Sequence, residues 1–318
     1  MGVRRETGRI VDFIKIILPY VLAGVSVGGQ YALISIGYTM VYGILRLINF
    51  AHGDIFMAAG LIMVFLAQAL PLYLAIPAVV IIIVALGFTI ERAAYMPLRG
   101  APRMSVMISA IGVSYLLQNL ALYITGGLNK NYPPIPWISD SITIFGVTTK
   151  RVTAVTPFFV AALVIALVMI INKTKMGMAM RAVAKDFETS QLMGIKINGV
   201  ISATFAIGSF LAAIGSMLYF SNYPGVFPTA GAMSGLKAFV AAVFGGIGSI
   251  PGAVLGGLII GVCESAIKGL DTVLVHFGIL AEPLELATFS DAFTFVLLIL
   301  ILVIKPTGLF GEKATDKI

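Results

Sequence analysis

The residues best suited to carry chemistry are few, and they stand in or beside long apolar runs. His52 and Asp54 belong to NFAHGD (49–54), a short polar break, and Glu264 and Lys268 lie one helical turn apart in another apolar run. Ionisable side chains at membrane depth are costly and usually functional. They could relay a proton or line a path for a polar solute. If the break lies at a membrane surface, however, His52 and Asp54 are simply hydrated, and Glu264 could instead pair with Lys268.

The motifs of common enzyme and metal sites are missing from the sequence. It has no GxxxxGK[ST] phosphate loop, since SGLKAF around Lys237 lacks the spacing and the hydroxyl residue. It also has no HExxH or CxxC, only two histidines, and no recognisable setting for a nucleophile. The single cysteine, Cys263, excludes an intramolecular disulfide. We therefore expect no bound cofactor, no metal and no catalytic centre, so any energy source is an ion gradient or a separate protein.

Composition places the chain in a membrane. It is 59% hydrophobic and only 11% charged, whereas soluble domains carry about 25% charged residues. The apolar runs are continuous rather than alternating, which indicates helices. The net charge of +7 does not indicate nucleic-acid binding, because the basic residues cluster in short loops. The predicted fold class is an all-α integral membrane protein, a polytopic bundle of about 8–10 transmembrane segments with broken helices.

The apolar runs predict ten segments within one transmembrane domain, residues 1–318. The first run is predicted to cross twice and to turn near Gly24, Gly28 and Gly29, because it exceeds the roughly 20 residues of one crossing. If some segments only dip into the membrane, the count falls to eight or nine. The runs are 11–48, 55–70, 73–90, 105–124, 152–171, 199–220, 235–250, 251–266 and 291–304.

The distribution of Lys and Arg predicts which loops face the cytoplasm, because cytoplasmic loops are enriched in both. The richest is 172–198, here called the basic loop, which carries five of them. The external loops are then 125–151, with the interfacial Trp137, 221–234 and 267–290. Both termini are predicted to be cytoplasmic from basic residues near each end: Arg4, Arg5, Arg9, Lys305, Lys313 and Lys317.

The middle of the basic loop has the pattern of one short helix. Val183 and Phe187 lie one turn apart, Asp186 and Glu188 share the polar side, and Gly194 is placed to end the helix. An ordered helix there suggests a docking surface for another protein. A solvated connector fits the same pattern equally well.

Two glycine-containing breaks, NFAHGD (49–54) and residues 245–252, interrupt the apolar runs, and their positions are compatible with two parallel repeats. Irregular backbone at membrane depth is tolerated only when it is buried in protein or lines a cavity. We therefore predict a translocation path or gate at the breaks, although close packing of small residues is the alternative and is favoured for 252–261. Lys237 is either buried or, more commonly for a lysine, extended toward the outer headgroups. The predicted path residues are Asn49, Phe50, His52, Gly53, Asp54, Gly245, Gly246, Gly248, Ser249, Pro251 and Glu264.

Several stretches of the sequence resemble the LivH-type permeases, the membrane subunits of ABC importers for branched-chain amino acids. The C-terminal PTGLFG is similar to their ending, and the resemblance covers nearly the whole chain in order. It departs mainly at 126–151 and 267–290. The stretches are YALISIGYTMVYGILRLINFAHGDIFMAAG (31–60), IERAAYMPLRG (90–100), MGMAMRAVAKDFETSQLMGI (176–195), LKAFVAAVFGGIGSIPGAVLGGLIIGVCES (236–265) and PTGLFG (306–311).

The resemblance implies a heteromeric importer in the plasma (inner) membrane of a bacterium or archaeon. This chain would pair with a second, LivM-like permease, with two cytoplasmic ABC ATPase subunits that bind ATP and Mg²⁺, and with an external substrate-binding protein. Residues 176–195 are similar to the coupling segment of ABC permeases, whose short helix would sit in a groove of the ATPase. The coupling residues implied are Arg181, Ala184, Asp186, Phe187, Glu188 and Gly194.

The function implied is that of a non-catalytic permease subunit carrying leucine, isoleucine, valine or related small amides. The alternative is an ion-coupled secondary transporter that uses His52, Asp54 and Glu264 as a proton relay. A passive channel and a membrane-embedded enzyme rank lower. The substrate stays open, because a hydrophobic path separates valine from leucine by only about 1–3 kcal/mol, and selection is expected mostly in the binding protein.

Overall fold

A computed structural model describes residues 2–311 except 137, 145, 277, 280 and 281, with side chains described from Lys15 onward. The predictions made for Trp137, Lys313 and Lys317 lie outside the described residues. The α-helices of the described part are α1 (Gly2–Leu45), α2 (His52–Ala69), α3 (Leu72–Ile90), α4 (Arg103–Thr125), α5 (Arg151–Lys173), α6 (Lys175–Lys185), α7 (Phe187–Leu192), α8 (Ile197–Asn222), α9 (Ala230–Gly245), α10 (Ile250–His276) and α11 (Ser290–Ile304).

Among the described residues, eight helices are long and apolar enough to cross a membrane, which confirms the predicted fold class. A ninth apolar helix, α9, has 16 residues, a length of about 24 Å, and is shorter than the roughly 30 Å of a hydrocarbon core. The boundary between α2 and α3 falls at Pro71, as the sequence indicated, because proline begins a helix easily but cannot continue one. Whether the two halves form parallel repeats stays a prediction.

The prediction of two crossings in residues 11–48 is wrong, because α1 is one continuous helix of 44 residues. Its glycines pack instead of turning. A Cβ atom added to Gly24 would lie 2.9 Å from the Cα of Val262, and one added to Gly28 would lie 2.8 Å from the Cα of Leu258. The glycines therefore bring α1 and the antiparallel α10 into backbone contact, the use that membrane helices make of small residues. Gly257 of α10 packs on α1 in return, as predicted for 252–261.

Helix α5 separates two faces of the molecule, since its 23 residues span about 34 Å. The upper face carries residues 125–150, and the lower face carries the basic loop. Helix α1 runs from the upper to the lower face: Lys15 lies beside Gly146, and the Arg46 guanidinium donates to the Ala184 carbonyl at 3.5 Å.

The described residues nearest the two termini lie at opposite faces, which differs from the prediction that both termini are cytoplasmic. Leu309 N–H donates to the Phe244 carbonyl, and Phe310 N–H donates to the Gly245 carbonyl, so residues 305–311 lie at the end of α9 nearer the lower face. The start of α1 lies at the opposite face. The reason is that residues 11–48 cross once rather than twice, which reverses the predicted side of the first segment.

Short strands order the upper face, where the sequence predicted only polar loops. Strands β2 (Ser141–Ile144) and β3 (Val147–Lys150) form an antiparallel hairpin, and β1 (Lys130–Asn131) pairs with β4 (Gly225–Val226). The predicted loop 267–290 is partly wrong, since α10 continues to His276. The returning segment is held by the α10 helix itself, because the Asp271 carboxylate accepts N–H bonds from Leu284 and Leu286.

The basic loop contains two helices, so the prediction of one is wrong. Asp186 ends α6 and caps α7: its Oδ1 accepts the Thr189 N–H at 3.0 Å and its Oδ2 accepts the Thr189 hydroxyl at 2.7 Å. Val183 is buried, whereas Phe187, beyond the break, is 39% exposed. Gly194 follows α7 with φ +82, the left-handed conformation that glycine adopts after a helix.

Candidate functional site

The NFAHGD break is an ordered, buried structure between α1 and α2. Asn49 is 1% exposed. Its Oδ1 accepts the N–H of Ala51 at 3.1 Å and the hydroxyl of Tyr95 at 2.8 Å. These bonds fix the non-helical backbone, so the predicted break exists and is held from the turn that follows α3.

His52 begins α2 and points toward α1 and α8. Its ring fills the space that Gly37 leaves, since a Cβ at Gly37 would overlap the imidazole, and it lies edge-on to Tyr38 with 5.1 Å between centroids. Within the described part of the chain its Nε2 has no hydrogen-bond partner. The geometry is that of a packed aromatic ring.

Asp54, 1% exposed, points elsewhere, toward α4. Its carboxylate accepts the Ser114 hydroxyl and, at 3.0 Å, the Gln118 amide N–H. A cleft of about 280 Å³ opens here between α2, α4 and α9, lined by Asp54 and by aromatic residues that include Phe50. Because His52 and Asp54 face different helices, their observed contacts do not form the predicted proton relay.

Gly53 lies between these two residues and sets the distance to α9. A Cβ there would lie 2.7 Å from the Cα of Gly235, so only glycine allows the two backbones to approach so closely. The predicted path residue therefore acts in packing, and it holds α9 beside the Asp54 cleft.

The second break is the tight reversal from α9 to α10. Gly246 and Gly248 have backbone φ values of 105 and 99, which residues other than glycine rarely adopt. The Ser249 hydroxyl accepts the Gly252 N–H at 3.2 Å and caps α10, whose second residue is the exposed Pro251.

The chain's own C-terminal segment covers this reversal. The N–H groups of Leu309 and Phe310 donate to the carbonyls of Phe244 and Gly245 at 3.0 and 2.8 Å. A Cβ at Gly246 would meet the backbone of Gly311. The PTGLFG segment, which is similar to the ending of LivH-type permeases, therefore packs against this reversal. The gating role of this break stays a prediction.

Glu264 lies in a second, larger cavity toward the upper face. It is 2% exposed; its Oε1 accepts Lys237 Nζ at 3.0 Å and Lys268 Nζ at 2.6 Å, and its Oε2 accepts the Tyr31 hydroxyl at 3.0 Å. Lys237 also pairs with Asp291 at 2.6 Å. Lys237 is therefore buried and ion-paired rather than extended to the headgroups, and Glu264 both pairs with Lys268 and lines a cavity of about 590 Å³.

The basic loop presents an exposed apolar surface at α7. Leu192 is 87% exposed, Met193 78% and Phe187 39%, and exposed apolar clusters rimmed by polar residues mark interaction sites. The loop is anchored below the bundle, because Arg181 donates to the Ile171 carbonyl at the end of α5 and the Ala184 carbonyl accepts from Arg46, directly after α1. The polar Glu188 is exposed beside this surface.

Sequence reasoning missed a polar network between the loop and the first break. Glu91, fully buried, accepts the Ser202 hydroxyl at 2.7 Å and pairs with Arg99, which also donates to Asn198. Asn198 and Ser202 belong to the first turns of α8, directly after the basic loop. Tyr95 belongs to the same turn as Glu91, the one that follows α3, and its hydroxyl donates to Asn49. The only sequence signal was an acidic residue at the end of an apolar run beside three arginines.

Comparison with known proteins gives consistent matches. Residues 20–302 match the family described as "Branched-chain amino acid transport system / permease component". The chain is 38% identical over 308 residues to the LivH high-affinity branched-chain amino acid permease protein of Salmonella typhimurium, covering 93% of this chain and 96% of that protein. It is 38% identical over 318 residues to BraD of Pseudomonas aeruginosa (95% and 98% covered), and 37% identical over 308 residues to LivH of Escherichia coli strain K12 (93% and 96%).

Proposed function

Since the chain belongs to the family of branched-chain amino acid transport permeases, we propose that it is the membrane-spanning subunit of an ABC importer that moves leucine, isoleucine and valine into the cytoplasm. The observation that carries this function is the family match over residues 20–302. The partners are a second, LivM-like permease, two ABC ATPase subunits and an external binding protein. ATP and Mg²⁺ are bound by the ATPase subunits, and this chain contributes no catalytic group.

The lower face is the cytoplasmic one in this proposal. It carries the basic loop, together with Arg99 and Arg103 at the turn between α3 and α4, and cytoplasmic loops concentrate such residues. The upper face, with its two small sheets, then meets the binding protein. This orientation places residues 305–311 inside and the start of α1 outside, in the plasma membrane of a prokaryote.

The ATPase docks on α6 and α7. The exposed Leu192, Met193 and Phe187 supply apolar area, and a short helix seated in a groove of a partner is a common recognition mode. Asp186 and Glu188 border this surface, and Gly194 allows the chain to turn back into α8.

Movement of the docked loop is transmitted to the first break through side-chain contacts. The start of α8 is bonded to Glu91 and Arg99, and Tyr95 in the same turn is bonded to Asn49. Rigid elements joined by such bonds move together. The Asp54 cleft lies beside this break, so we assign the break as a gate and the Asp54 and Glu264 cavities as parts of the path.

A purification and transport experiment tests the proposal. The chain, tagged at its C-terminus, is extracted in mild detergent and the co-purifying subunits are identified. We expect a second permease and two ATPase chains, and, after reconstitution, leucine uptake that requires both ATP and the binding protein. Recovery of this chain alone, with uptake driven by a proton gradient in the absence of ATP, would refute the importer and support the secondary transporter.

A further inference from the structure

Four charged side chains from three helices meet in the cavity at the upper face, here called the charged cavity. They are Lys237 of α9, Glu264 and Lys268 of α10, and Asp291 of α11. Lys237 lies 3.0 Å from Glu264 and 2.6 Å from Asp291, and Lys268 lies 2.6 Å from Glu264. Two cations and two carboxylates give the cluster a formal charge of zero.

The cluster has a buried half and an accessible half. The side chains of Lys237 and Glu264 are 8% and 3% exposed, and Tyr31 adds a third bond to the Glu264 carboxylate. The side chains of Asp291 and Lys268 are 40% and 43% exposed and border a space of about 590 Å³. The Coulomb attraction within an ion pair is weaker beside water than in an enclosed site. This cluster presents charges of both signs to an open cavity.

The remaining wall of the charged cavity is apolar and aromatic. It is formed by the end of α8, the segment that follows it, and the first turns of α9. Ligand sites commonly combine such a wall with a few convergent polar groups that orient the ligand. The wall includes Tyr219, Phe220, Tyr223, Pro224, Phe227 and Met233.

We propose that the charged cavity binds an α-amino acid zwitterion with an apolar side chain, which inserts between Lys237 and Asp291. The ligand's carboxylate accepts from the ammonium groups of Lys237 and Lys268, and its own ammonium donates to the Asp291 carboxylate. Each charge of the ligand thereby meets an opposite charge, and the cluster keeps its neutrality. The side chain packs against the aromatic wall, while Glu264 holds the two lysines in place.

Two features favour a zwitterion over a simple anion or cation. An anion would leave Asp291 without a partner once its carboxylate displaced that of Asp291 from Lys237, and a cation would bring a third positive charge beside two lysines. Leaving a charge unpaired in a partly buried site is destabilising. The inference rests on the proposed function, because that function places the charged cavity where a substrate released by the binding protein would enter.

The test compares leucine with two molecules that each lack one of its charges. The complete complex, in lipid nanodiscs and without the binding protein, is assayed for equilibrium binding of radiolabelled leucine, with 4-methylpentanoate and leucinamide as competitors. The variant is Asp291→Asn, chosen because its side chain is partly exposed and its loss leaves the Lys237–Glu264 pair intact. The matched control is Glu282→Gln, an exposed residue of the same face outside the charged cavity.

We expect wild-type protein to prefer leucine to both competitors. Asp291→Asn should weaken leucine binding by about tenfold or more, the effect of losing one charge-assisted hydrogen bond, whereas 4-methylpentanoate, which has no ammonium group, should bind as well as before or better. The ratio of the two affinities is the readout, because structural damage would weaken both ligands together. The control should retain wild-type values.

The outcomes distinguish failure of the proposed binding site from failure of the proposed function. Leucine uptake by the wild-type complex, reconstituted with its binding protein and ATP, is measured in parallel. If the wild type imports leucine but Asp291→Asn keeps the wild-type affinity ratio, or neither protein binds leucine, the site is refuted and the importer stands. If the wild type imports no branched-chain amino acid, the proposed function itself fails.

Discussion

Leu192 offers the sharpest test of ATPase docking, because its side chain packs so little against the rest of this chain. It ends α7 with 87% of its surface exposed. Replacing it by serine removes apolar surface that contributes almost nothing to the packing of the permease. Leu192→Ser should therefore insert and fold as the wild type does, and any loss must come from a partner that buries this side chain.

The size of the loss follows from the area that remains to be buried. Full burial of a leucine side chain is worth about 1.5–3 kcal/mol, and nearly all of this is still available at Leu192. If the ATPase groove encloses the side chain, Leu192→Ser should weaken ATPase binding by roughly 10- to 150-fold, at about 1.4 kcal/mol per factor of ten. Substrate-stimulated ATP hydrolysis should fall in parallel at limiting ATPase concentration.

The assay measures the Kd of the isolated ATPase for the permease pair in nanodiscs, together with ATP hydrolysis stimulated by the loaded binding protein. Leu284→Ser is the matched control, since Leu284 is 57% exposed but follows α10 near the upper face. A wild-type Kd in Leu192→Ser, or an equal loss in both variants, would show that α7 is not the docking surface.

Three further substitutions test other parts of the structure. Glu91→Gln, which leaves Arg99 facing a neutral amide in a buried site, should destabilise the permease by about 1–3 kcal/mol, seen as a lower unfolding temperature in detergent. Gly257→Leu should prevent α10 from packing on α1, because a Cβ there would lie 2.6 Å from the backbone nitrogen of Ala32. The misfolded permease would then appear in size-exclusion chromatography as aggregate in place of a monodisperse peak. Gly194→Pro should abolish stimulated ATP hydrolysis in a normally inserted protein, because φ is +82 there and proline requires about −65°; unchanged stimulation would contradict the docking role.

The sequence predicted the membrane spans well because hydropathy reports a property of each segment by itself. It predicted the break at Asn49 for a similar reason, since polar residues and glycine stand together there. The prediction that residues 11–48 cross twice was wrong because glycine has two uses in a membrane segment. Gly24 and Gly28 could mark a turn or a close helix contact, and only the distant α10, with Val262 and Leu258 at the contact, decides between them.

The prediction for Lys237 was limited in the same way, because the position of a charged group also depends on helices that are distant in the sequence. The expectation that a membrane lysine extends to the headgroups treats its helix alone, and it assumes that an interface is within reach. Lys237 lies near the middle of the 16-residue α9, while carboxylates from α10 and α11 lie at 3.0 and 2.6 Å. Pairing these groups neutralises them without a long extension, so the fold, rather than the local sequence, determines that this lysine stays inside. The partial exposure of the Asp291 carboxylate is therefore the feature of this pairing that the proposed zwitterionic ligand would use.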